Sequence, residues 1–194
     1  MQTRGGDGGF ERQLGLGRGG VYPASAADSL LHPARRLLHP PGRLARRLAP
    51  PADGRVLEIG PGAGWFTAEL AARVPAGELH LLDVQPQMLE RAAARAVSPV
   101  VRSTVGDACA LPFDHESFDA AVATAVLGET PDAARAVAEV ARILRVGGRF
   151  AVLETRTDPD FVPYRTLVGL GHAAGLRPVR RYGHLLGYAA VLER

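Results

Sequence analysis

Between Arg55 and Glu154, short runs rich in Val, Ile and Leu alternate with Ala-rich stretches of helical period. That alternation narrows the possible folds more than any other feature of the chain. Residues 56–59, 79–84, 100–105, 118–122 and 149–154 read as strands, most of them apolar at successive positions. Strands of that kind are buried on both faces, which points to a parallel sheet covered by helices on each side. A helix over 65–74 would turn Phe66, Leu70 and Val74 inward, and the next, with Pro86 near its first turn, would bury Met88, Leu89, Ala92 and Ala96. A third is capped by Asp132, buries Val137, Val140, Ile143 and Leu144, and is expected to end at Gly147-Gly148. Near the C-terminus a helix around 163–174 precedes strands 177–181 and 188–193. Their short connection permits only an antiparallel pair, because a parallel crossover needs a dozen or more residues. The expected architecture is α/β: a seven-stranded, mostly parallel sheet with helices on both faces and an antiparallel last strand.

In an open α/β sheet, ligands bind outside the carboxyl ends of the strands. The first strand runs into Glu58-Ile59-Gly60-Pro61-Gly62-Ala63-Gly64, three alternate glycines between strand and helix. Such a turn lets a ligand press against the backbone with no Cβ in the way. The dinucleotide fingerprint needs a small sixth residue, and counting from Gly60 that position holds Trp65, which disfavours NAD(P) and FAD. A phosphate-binding P-loop needs Gly-Lys-Ser/Thr, and all 23 basic Lys+Arg residues here are arginine.

The segments RVLEIGPGAGWFTAELA, LHLLDVQPQMLERA, GDACALPFDHESFDA and ILRVGGRFAVLE, in this order, resemble the motif set of small-molecule class I methyltransferases, of the methyltransferase type 11 kind. The resemblance runs from Pro51 to Arg194 and implies a Rossmann-like fold that uses S-adenosyl-L-methionine (AdoMet). It also implies roles. Asp83, nineteen residues beyond Gly64, would take the two ribose hydroxyls, with Val84 beside it. A carboxylate suits a diol because it offers two acceptor oxygens and no donor. Asp107 would accept from the adenine amino group and the Ala108 N–H would meet the ring. Glu58 and Gly60 would hold the methionine end, and Gly62 and Gly64 of the same turn would also bind the cofactor. Thr124 and Ala125 would form the wall passing methionine and substrate. No catalytic base stands out and no metal site is expected.

Other chemistries find less support. Cys109 follows Ala108 and reads as a small packing residue, not a Pro-Cys nucleophile. ATAVLGET stands where amino methyltransferases of DNA bases or glutamine carry Pro-Pro-Tyr. His172, His184, Glu129 and Tyr164 are candidates for a substrate cavity. The expected activity is methyl transfer to a small-molecule acceptor. The alternatives are a catalytically silent AdoMet-binding module and a nucleic-acid or protein methyltransferase.

Charge bears on the last of these. Residues 1–51 hold eight arginines against Asp7, Glu11 and Asp28, whereas residues 52–194 hold fifteen arginines against seventeen acids. A nucleic-acid binder carries its positive charge on the folded face that meets phosphate, so the basic arm does not argue for such a partner. Residues 1–20, with eight glycines, are expected to be a disordered tail. Residues 21–50 are expected to form a helical arm or lid, broken at Pro33 and Pro40-Pro41, whose Leu30, Leu31, Leu37, Leu38, Leu44 and Leu48 make an apolar stripe between arginines. Residues 51–194 would be the methyltransferase domain. Neither a secretory leader nor a transmembrane run is expected, so a cytoplasmic location is the default.

Overall fold

The computed structural model describes residues 22–23, 41–96, 98, 100–184 and 186–194. In chain order the elements are α1 (Pro41–Leu48), β1 (Arg55–Ile59), α2 (Thr67–Ala71), β2 (Glu78–Asp83), α3 (Pro86–Arg95), β3 (Val101–Val105) and β4 (Phe118–Thr124). They continue with α4 (Ala133–Ile143), β5 (Leu144–Thr155), α5 (Tyr164–Ala173), β6 (Arg177–His184) and β7 (Gly187–Glu193). The seven strands form one sheet in the order β3-β2-β1-β4-β5-β7-β6. Pairings among β1 to β5 are parallel, and β7 lies antiparallel between β5 and β6. The reversed strand is thus inside the sheet, and β6 forms the edge.

Strand period explains the two cores. Leu57 and Ile59 of β1 join Ala121, Ala123, Phe150 and Val152 on one face, under Val137 and Val140 of α4 and Leu167 of α5. Val56 joins Leu79, Leu81, Ala120, Val122 and Ala151 on the other, under Leu70 of α2 and Leu89 and Ala92 of α3. Successive residues of a strand point to opposite faces, so apolar runs with no polar alternation are what a sheet buried twice requires. Met88, Leu89, Ala92 and Ala96 are all buried, as the helical spacing predicts.

The arm expected over 21–50 is described at Tyr22–Pro23 and from Pro41 onward; the glycine-rich tail and Leu30, Leu31, Leu37 and Leu38 lie outside the described residues. In α1, Leu44, Ala45 and Leu48 are buried in the second core, while Arg47 places its guanidinium 3.2 Å from the ring centre of Tyr182. This part of the arm lies on the sheet and turns arginines outward. Among the described residues no helix is long and apolar enough to cross a membrane.

Several expected boundaries differ. Helix α4 begins at its Asp132 cap, whose Oδ1 accepts the Arg135 N–H at 3.0 Å, but it ends at Ile143, not at Gly147-Gly148. Leu144 is already extended and pairs with Phe118 as the first residue of β5. The two glycines instead meet the chain end: Gly147 donates its N–H to the Arg194 carbonyl, and the Arg194 N–H donates to Gly148, each at 3.0 Å. Helix α2 is also shorter than 65–74, although Phe66, Leu70 and Val74 are buried as expected.

Candidate functional site

The turn after β1 is built by backbone conformations that glycine favours. Gly60, Gly62 and Gly64 have φ of 61°, 53° and 77°. At Gly60 a Cβ would overlap the Val126 side chain, so the exit of β4 can close on the exit of β1 only because Gly60 lacks one. At Gly64 a Cβ would lie 2.7 Å from Cα of Ala92 in α3. Gly64 therefore serves the packing of the turn on a helix, and it does not line the cavity that the other two glycines face.

That cavity encloses about 620 Å³ at the carboxyl ends of the parallel strands. All the binding residues named from sequence except Gly64 line it: Glu58, Gly60, Gly62, Asp83, Val84, Asp107, Ala108, Thr124 and Ala125. The segments after β1, β2 and β3 make one wall. Those after β4 and β5, with Val126, Glu129, Thr130, Thr155 and Asp158, make the other.

Glu58 is 3% exposed, and its Oε2 is buried without a hydrogen-bond partner. Burial pushes its carboxyl up to about 7, against a smaller opposing pull from the Thr67 hydroxyl, which lies near it without completing a well-formed hydrogen bond. A buried acceptor left unsatisfied is costly, and it marks a place for a donor from a ligand. Asp83 closes β2 and accepts the Gln85 N–H on Oδ1 at 2.9 Å. It therefore also steadies the chain entering α3, whose first residue is Pro86. Burial raises its pKa, while the backbone N–H groups of Gln85, Val84 and Gly62 pull the other way. Asp107 accepts the Cys109 N–H on Oδ1 at 2.8 Å, which orients the turn bearing Ala108. Cys109 itself is buried and donates its thiol to the Asp132 carbonyl at 3.3 Å, a packing role. Val84 is 47% exposed beside the cavity, leaving an apolar surface for a flat ring.

On the second wall Ala125 has φ of 52° without being glycine, a strained conformation of the kind found where a chain is bent for a site. Of the four substrate-cavity candidates, Glu129 lines the cavity. Tyr164 does not; it stacks edge-on against Tyr188 and sits under the Arg181 guanidinium. His172 is exposed near the end of α5, and the side chain of His184 lies outside the described residues.

Sequence reasoning missed several groups. Tyr22 lines the cavity; its N–H donates to Oε2 of Glu129 at 3.3 Å, and its carbonyl accepts the Gln85 side-chain amide at 2.8 Å. Trp65, Phe66 and Met88 add apolar surface, and Thr155, Thr157, Asp158 and Leu186 come from the distant C-terminal third. Glu154, at the end of β5, is 1% exposed; Oε2 accepts the Val162 N–H at 3.2 Å and Oε1 has no partner. Burial raises its pKa to about 8.

The donor and acceptor set fits AdoMet. Paired acceptor oxygens at Asp83 suit the ribose, Asp107 and the Ala108 amide suit adenine, and the unsatisfied Glu58 suits the methionine ammonium. Bound there, AdoMet would supply an activated methyl group on a cationic sulfur.

Comparison with known proteins agrees. Residues 57–152 match the family model described as a methyltransferase domain. The demethylmenaquinone methyltransferase of Roseiflexus castenholzii is 39% identical over 124 residues, 64% of this chain and 50% of that protein. The ubiquinone/menaquinone biosynthesis C-methyltransferase of Dinoroseobacter shibae is 38% identical over 117 residues, 58% of this chain and 47% of that protein. The chain thus spans about half the length of these curated relatives. Among solved structures, an AdoMet-dependent methyltransferase from Aquifex aeolicus superposes with a TM-score of 0.80 at 17% identity, covering 89% of this chain and 98% of that one, which is a likeness of fold. The chain belongs to the class I, Rossmann-like AdoMet-dependent methyltransferases.

Proposed function

We propose that this domain transfers the methyl group of AdoMet to a small aromatic acceptor of the quinol kind. The observation that carries the reading is the two-walled cavity. One wall offers the acceptors an AdoMet molecule needs, with Glu58 unsatisfied, and the other is a separate surface of apolar, hydroxyl and carboxyl side chains. Asp83, Asp107 and Ala108 hold the nucleoside, Glu58, Gly60 and Gly62 the methionine end, and Val84 the ring face. Thr124 and Ala125 bound the passage to the acceptor. The quinol is suggested by the relatives named for demethylmenaquinone and for ubiquinone/menaquinone biosynthesis. Because the sulfonium is already activated, the protein's main task is to hold a nucleophile in line with the methyl group.

The test has two stages. Calorimetry should show AdoMet and its demethylated product, S-adenosylhomocysteine, binding at one site; no binding of either overturns the reading. Labelled methyl should then pass to naphthalene-1,4-diol kept reduced under anaerobic conditions. Binding with no transfer to any quinol or phenol would identify a cofactor-binding module instead.

A further inference from the structure

We propose that Glu129 is the group that takes a proton from the acceptor, and that the acceptor enters as an uncharged aromatic hydroxyl compound. This rests on the reading of function above and adds the residue and the charge class.

Position comes first. Glu129 closes the 3₁₀ turn Leu127–Glu129 that follows β4. A Cβ on Gly128 would overlap the Asp160 carbonyl oxygen, so the turn seats against the loop after β5 through an approach that only glycine permits. That seating puts Glu129 on the cavity wall left for the acceptor.

Charge comes next. The ionisable side chains lining the described cavity, apart from Tyr22, are Glu58, Asp83, Asp107, Glu129 and Asp158, and no Arg, Lys or His lines it. A carboxylate or phosphate acceptor would meet repulsion that no cationic side chain of the described lining offsets. An amine would be held by these carboxylates as ammonium, which has no electron pair to give. A phenolic hydroxyl enters uncharged and becomes nucleophilic when a carboxylate takes its proton.

Basicity fits the task. Facing Glu129 are Asp83 from β2, Glu154 from β5, and Asp158 and Asp160 from the loop beyond. Among the described residues the Tyr22 N–H, at 3.3 Å, opposes them. Burial first, then Asp158, Asp160 and Asp83, raise its pKa to about 8, which makes it a stronger base than an ordinary carboxylate.

The step balances as follows. The hydroxyl proton passes to the Glu129 carboxylate, and the electron density released forms a bond from the ring carbon to the methyl carbon. The methyl–sulfur bond breaks and its pair stays on sulfur. The ring C–H proton then returns to the oxygen by way of water, and Glu129 gives its proton to solvent.

The experiment uses the full chain and naphthalene-1,4-diol. E129Q should lower kcat about a hundredfold or more while leaving AdoMet affinity within about threefold. It should also lose the rise in kcat/KM with pH that is expected near 8 in the unaltered protein. E129D should recover part of both. Independently, with S-adenosylhomocysteine bound, 1-naphthol should bind at least about tenfold more tightly than 1-naphthoate, a difference of about 1.4 kcal/mol. Unaltered kcat and pH profile in E129Q, or preference for naphthoate, overturns the inference. Selective naphthol binding with no methylation of the diol by the unaltered chain overturns the reading of function instead.

Discussion

Tyr22 and Glu129 are separated by 107 positions in sequence, yet the main-chain N–H of one donates to Oε2 of the other at 3.3 Å. On the opposite side the Tyr22 carbonyl accepts from Gln85 at 2.8 Å. Gln85 follows β2 and Glu129 follows β4, and these strands flank β1 in the sheet. The segment at Tyr22 therefore bridges the two sides of the cavity above the glycine turn. Q85A should remove one anchor, a neutral hydrogen bond worth ~0.5–1.5 kcal/mol. AdoMet should then dissociate about two- to tenfold faster by stopped-flow fluorescence, with the fold unchanged by circular dichroism. An unchanged off-rate would mean that the bridge does not restrain the ligand.

Asp83 offers a sharper test of the nucleoside end. D83A should weaken AdoMet by ~1.5–3 kcal/mol, because the ribose diol loses a charged acceptor. The loss corresponds to a Kd raised about ten- to 150-fold. The same carboxylate accepts the Gln85 N–H, so thermal stability should be followed in parallel. D83N restores an acceptor to that N–H but not the charge. Recovery of stability without recovery of affinity would separate the two duties, and equal recovery of both would show that Asp83 acts only through the loop.

Most of the first wall was legible because it is local. A strand followed by alternate glycines, and an acid at the end of each of the next two strands, are written in consecutive residues, and a parallel sheet brings those ends together. The second wall was legible in part: Thr124, Ala125 and Glu129 lie at or just beyond the end of β4, but its residues from later in the chain were not. Thr155 and Asp158 reach Glu129 through the pairing of β5 with β4, and Leu186 through its carbonyl, which accepts the Arg156 N–H at 2.9 Å, long-range contacts that leave no local pattern. Tyr22 belongs to the segment expected to be an arm or lid, but it stands ahead of the leucine stripe, so nothing singled it out. The misplaced end of α4 has a similar cause. Gly147-Gly148 looks like a helix stop, but pairing of Leu144 with Phe118 takes the chain into β5 earlier.

Gly60 allows a test that separates shape from conformation. G60A places a Cβ against Val126 in a backbone with φ of 61°. The substitution should destabilise the protein by ~1–3 kcal/mol and abolish AdoMet binding at micromolar concentrations. Adding V126A removes the obstructing methyl groups but not the backbone strain, so the double variant should regain part of the stability. Full recovery would show that the left-handed conformation at Gly60 costs nothing. No recovery would show that the contact with Val126 is immaterial.

The buried carboxyls predict how stability depends on pH. Glu58, Glu129 and Glu154 are raised from 4.5 to about 7, 8 and 8, in each case chiefly by burial. A carboxyl whose folded pKa lies above its unfolded value binds its proton more tightly when folded. Its stabilising contribution is complete below the unfolded pKa and is lost as pH rises through the folded one. His80 acts in the opposite sense, because burial lowers its pKa from 6.5, but that effect is spent once pH exceeds 6.5. Between pH 6.5 and 8.5 the three carboxyls therefore set the slope, and Tm without AdoMet should fall across that interval. E154Q, which keeps the shape and an acceptor for the Val162 N–H, should flatten the slope without touching the cavity lining. Saturating AdoMet should flatten it in part, since the ligand's ammonium beside Glu58 compensates that charge. A Tm that rises from pH 6.5 to 8.5, measured by differential scanning fluorimetry at constant ionic strength, would contradict the burial of these groups as acids.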